Sequence, residues 1–153
     1  MAALWPLLQN RLVAVLPTLS GYTGVKVFDG PPVVDDAPLS YVTVGHIDDG
    51  TGLDGSAGSY QTVPGQVDGL VDESGSLDLE FVVWTGDVDL PTVRSACYAL
   101  VDALEAFIRA DQTLGLFLPG ASTQMTVNVI PQQAPSGSEQ RLIVTVTYTA
   151  RRP

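Results

Sequence analysis

The chain has 153 residues, of which 45% are apolar and 16% charged, and its net charge is −10. A chain of this length can bury a core of its own as one domain, and its composition excludes a disordered polymer; the lone cysteine, Cys97, excludes an intrachain disulfide. Between Lys26 and Arg94 stand thirteen acids and no lysine or arginine, so the surface they form is expected to carry one sign, which repels phosphates and argues against nucleic-acid recognition.

In chain order, the first segment reads as a helix. Leu4, Leu8, Leu12, Leu16 and Leu19 recur at steps of three or four. Pro6 suits a first turn, and Pro17 with Ser20-Gly21 ends the run. The same segment makes a poor secretion signal, because it lacks a basic start and Pro6, Gln9, Asn10 and Arg11 interrupt it. No stretch approaches the ~18–20 apolar residues of a membrane span, so a cytosolic protein without a membrane partner is expected. A short strand is predicted at Val25 to Phe28, a break at Gly30-Pro31-Pro32, and a second strand at Ser40 to Ile47. Residues 48–74, rich in glycine and acids, read as one long irregular loop.

Strand character returns at Gly75 to Thr85. Leu77, Leu79, Phe81 and Val83 share one face, with Asp78 and Glu80 on the other. The clearest helix is Asp87 to Asp111, with Asp89 as cap, Pro91 in the first turn and an apolar stripe of Val93, Cys97, Leu100, Leu104 and Phe107. Two further strands, Thr123 to Ile130 and Gln140 to Ala150, are joined through Pro135-Ser136-Gly137-Ser138, a connection read as longer than the tight two-residue kind. The expected fold is α+β: a single mostly antiparallel sheet of about five strands, two helices packed on one face, and a long acidic loop at 48–74.

Catalytic chemistry finds few candidates. His46 is the only histidine and sits mid-strand, and Cys97 lies on an apolar helix stripe, which suits a core residue. That inventory leaves no set for a metal bound by nitrogen and sulfur. Asp48, Asp49 and Asp54 in a glycine-rich run allow a calcium-binding loop, but Thr51 and Leu53 stand where an EF-hand needs acids. Asp78 and Glu80 could act as paired carboxylates, and a solvent-facing pair on a half-buried strand looks the same. Thr145, Thr147 and Thr149 suit an exposed face or a subunit contact. Arg151 and Arg152 read either as a frayed basic tail or as a contact with an acidic neighbour.

A leading amphipathic helix is followed by Val25-Lys26-Val27-Phe28-Asp29-Gly30-Pro31-Pro32, then Pro38-Leu39-Ser40-Tyr41-Val42-Thr43-Val44-Gly45, then a strand ending Val82-Val83-Trp84-Thr85-Gly86 that runs into the long helix, and a terminal hairpin. Over nearly its whole length this pattern resembles the tail terminator, or tail completion, proteins of long-tailed bacteriophages. The resemblance implies that residues 1–153 form a single tail-terminator-like domain that assembles with itself into a homo-hexameric ring. Such a ring caps the tail tube protein, stops its polymerisation and meets the head-side connector or neck protein. DNA passes through without specific binding. The resemblance also implies a virion location at the head-proximal end of the tail, with assembly in the host cytoplasm, and neither cofactor nor catalytic residues.

In that setting Asp48, Asp49, Asp54, Asp68, Asp72 and Glu73 are expected on a loop at the lumen or tube-facing side, where repeated carboxylates keep DNA from adhering. Alternatively they solubilise a loop. The competing functional readings are a neck or connector protein, a tube subunit, and, from a different class, a small-ligand or calcium-binding module using the acidic loop.

Overall fold

The computed structural model describes residues 3–32, 40–48, 58–64, 69–85, 89–116, 122–134 and 137–152. Helix α1 (Leu4–Val15) leads through a 3-10 turn (Leu16–Thr18) to strands β1 (Lys26–Asp29), β2 (Ser40–Val44), β3 (Gly58–Pro64) and β4 (Val71–Thr85). Helix α2 (Leu90–Ala110) follows, and β5 (Ser122–Ala134) and β6 (Gly137–Arg152) complete the sheet. The six strands run in the order β1-β2-β4-β6-β5, with β3 joining β4 beside β2, and the sheet does not close into a barrel. All pairings are antiparallel except β1 with β2. The α+β expectation therefore holds, with one strand more than foreseen.

The extra strand corrects the long loop. Residues 58–64 pair with Val71 to Leu77, so the stretch 48–74 contains β3 and the start of β4. Sequence periodicity missed β3 because every residue from Ser59 to Pro64 is exposed and no apolar face is needed there. The hairpin between β5 and β6 is also tighter than expected, since Ala134 pairs with Gly137.

Both helices pack on one face. Leu4, Leu8, Leu12 and Leu16 of the first helical segment join Val93, Cys97, Leu100, Leu104 and Ile108 of α2 over Val42, Val44, Leu77, Leu79, Phe81, Leu142, Val144 and Val146. The alternation along β4 and β6 places these side chains on the helix side, and each fully buried leucine contributes about 1.5–3 kcal/mol. Pro91 occupies the first turn of α2, as its fixed φ allows. Asp89 is the N-cap residue, but its carboxylate accepts from the Thr92 hydroxyl rather than from a backbone N–H.

The strands outreach the helices. β6 has 16 residues, roughly 54 Å at ~3.4 Å each, whereas α2 has 21 residues, about 31 Å at ~1.5 Å each. At the far end of β4 a glycine is required. A Cβ on Gly75 would stand 2.7 Å from the Ser59 carbonyl oxygen and 2.9 Å from the Tyr148 hydroxyl. Without it Tyr148 lies across β4.

Candidate functional site

The opening formed at Gly75 lets Tyr148 reach Glu73. The Tyr148 hydroxyl donates to Glu73 Oε1 at 2.7 Å, the backbone N–H groups of Leu4 and Trp5 donate to the same oxygen at 2.8 and 3.2 Å, and Arg152 Nε donates to Oε2 at 2.9 Å. Glu73 is 1% exposed. Ala3, the N-cap of α1, makes no side-chain cap, so this distant carboxylate satisfies the first free N–H groups of the helix and meets its positive end. Glu73 thus belongs to a structural junction and not to a loop; its expected loop role is corrected. Burial, with help from Glu73, pushes the Tyr148 phenol far above its ordinary value.

Asp72, the neighbouring residue, faces the other way. Arg151 Nε donates to it at 2.7 Å and holds its carboxyl below the usual carboxylate range, in a solvent-exposed pair. Asp72 also lies on β4 and not on a loop. Asp48 is exposed and near Arg141, at 3.8 Å. Asp49, Asp54 and Asp68 lie outside the described residues.

Arg141 is the second junction. Its guanidinium pairs with Glu80, 1% exposed, and with Glu139 at 3.1 Å, while the Asp48 N–H donates to Glu80 Oε2 at 2.9 Å. Asp78 accepts from the Thr145 hydroxyl at 2.6 Å. Glu80 is therefore held in a buried ion pair.

These pairs correct the expectation of an unrelieved one-signed surface. The acids have no basic partners nearby in sequence, but β6 supplies Arg141, Arg151 and Arg152 across the sheet to Glu80, Asp72 and Glu73. The arginines past Tyr148 are strand residues and not a frayed tail, and acids of this same chain, Asp72 and Glu73, pair with them. The alternation Leu142, Val144, Val146, Tyr148, Ala150 continues into Arg152, and that continuation was the available signal.

The sheet face away from the helices has a distinct chemistry. One row across β3, β4, β6 and β5 is Gln61, Ser74, Thr149 and Ser122; the next is Ser59, Ser76, Thr147 and Gln124. Thr145 and Thr126 extend it. These are uncharged hydroxyls and amides, open to solvent or half-buried. The two arginines on this face, Arg141 and Arg151, are each engaged by carboxylates. Such rows offer hydrogen bonds in every direction, and the two arginines beside them are already held by carboxylates.

The remaining reactive groups are buried. Cys97 is 0% exposed, its sulfur 3.7 Å from the carbonyl oxygens of Phe81 and Gln140, and burial pushes its thiol up to about 12. A thiol-specific reagent is accordingly expected to leave native protein unlabelled and to label it in denaturant; rapid labelling of native protein contradicts this packing. His46 is also buried, and its carbonyl accepts from the Thr43 hydroxyl at 2.9 Å. Among the described residues no three acidic, histidine or cysteine side chains converge as a metal site, and no helix is long and apolar enough to cross a membrane.

No protein-family model matches the chain, and no curated protein matches it.

Proposed function

We propose that this chain is a structural subunit of a bacteriophage tail terminator: a ring that caps the tail tube, stops its growth and joins it to the head-side connector. The observation that carries this reading is the uncovered sheet face. Across β3, β4, β6 and β5 it carries rows of hydroxyls and amides, and its two arginines are already paired. Turned toward a central channel, these rows give DNA hydroxyls and amides in place of free arginines. The helices then form the outer wall. Asp48, exposed beside Arg141, adds negative charge there.

The reading has a direct test. Negative-stain micrographs of the purified protein at raised ionic strength, where repulsion between copies of charge −10 is screened, are expected to show rings with an open centre. Tails made without the protein are expected to be overlong and unjoined to capsids. Neutralising Asp48, Asp49, Asp54 and Asp68 together is expected to slow DNA ejection from particles with normal tails. A strict monomer whose melting temperature rises with calcium would instead identify a binding module.

A further inference from the structure

We propose that copies of this chain join edge to edge, with β3 of one copy adding to the outer edge of β5 of the next and Tyr60 entering the groove between that β5 and α2. The inference rests on the ring reading and assigns its subunit contact.

The two strands lie on opposite borders of the sheet. β3 pairs only with β4 and β5 only with β6 among the described residues. Neither strand contains a charged residue, over seven and 13 residues respectively. The remaining border strand, β1, carries Lys26 and Asp29. Charges on an edge discourage unwanted pairing, and long neutral edges invite it. For copies that each carry −10, a contact through neutral strips also avoids the strongest repulsion.

Direction and level agree. β3 is antiparallel to β4, β4 to β6 and β6 to β5, so β3 and β5 run in opposite senses. Rotation about an axis along the strands sets β3 beside the next copy's β5 as an antiparallel pair, with like faces on the same side. The contact joins two different surfaces, which closes into a ring when the rotation divides the circle. Such a rotation keeps each residue at its own height. Tyr60, Gly75, Tyr148 and Thr123 form one row on the helix side.

At that height beside β5 lies a groove of about 450 Å³, lined by Ile108, Gln112, Thr123, Met125 and Val127, with Glu105 and Arg109 at its rim. Tyr60 is 50% exposed on the opposite border. Among the described residues the exposed large apolar side chains are Leu7, Tyr60, Val63 and Val129, and all but Leu7 belong to these two strands. A phenol ring is a suitable knob for a half-apolar groove with a polar rim.

The test uses Ser59→Cys and Gln124→Cys, which share a row and are exposed. Within one copy they are three strand spacings apart, about 14 Å, beyond the roughly 7 Å limit for a disulfide. Mixing the two single variants under oxidation is expected to give a disulfide-linked heterodimer, and the double variant a ladder ending at the ring. Adding Tyr60→Ala is expected to lower the linked fraction roughly tenfold or more with unchanged melting. Rings without cross-links here, or with Ser122→Cys or Thr126→Cys in place of Gln124→Cys, overturn the edge contact and leave the ring reading standing. Self-linking of Ser59→Cys alone overturns the head-to-tail geometry. Linked open fibres support the edge contact and refute ring closure. Monomers at every concentration and salt refute both.

Discussion

Glu73→Ala is expected to lower the unfolding free energy by about 3–5 kcal/mol, measured by urea denaturation. The substitution removes the carboxylate that Arg152, whose side chain is 14% exposed, the Tyr148 hydroxyl and the N–H groups of Leu4 and Trp5 share. Each hydrogen bond lost from a buried donor adds to the effect. The docking of α1 onto the sheet should suffer first, because Ala3 supplies no side-chain cap to that helix. Hydrogen exchange is then expected to show α1 opening below the global transition. A loss under 1 kcal/mol, with α1 protected as before, refutes the junction.

Arg141→Ala is expected to destabilise by a similar amount, about 3–5 kcal/mol, because Glu80 is buried and its remaining described partner is the Asp48 N–H. Glu139 loses the same cation. The pair Glu80→Leu with Arg141→Met tests the cause. Removing both charges is expected to recover most of the loss, since an apolar pair of similar volume avoids the desolvation cost. If the double variant is no more stable than Arg141→Ala, packing and not charge explains the effect.

Much of the architecture was legible wherever one face of an element needed burial. Leu77, Leu79, Phe81 and Val83 alternate and are buried on the helix side, and the stripe of Val93, Cys97, Leu100 and Leu104 defines α2 in the same way. β3 was not legible, because Ser59 to Pro64 are all exposed and their strand geometry comes from the ladder to β4. The start of β4 was lost because Asp72 to Ser76 are polar or glycine and show no apolar alternation. Of the acids singled out, Glu73 looked like its neighbours in composition. Its burial depends on Leu4, Tyr148 and Arg152, 69 to 79 positions away along the chain. Charge counted along the sequence therefore misjudged the surface, since β6 brings its arginines from outside the acidic stretch. The parallel pairing of β1 with β2 also lacked a local signal.

The Glu73 junction has a kinetic consequence. It ties Leu4 and Trp5 to β4 and β4 to residue 152, so its bonds cannot all exist until β6 has left the ribosome. High contact order of this kind slows folding. During synthesis the early amphipathic helix must wait with its leucines uncovered, a state open to chaperones. The chain should therefore reach its fully tied fold only after translation has passed Arg152.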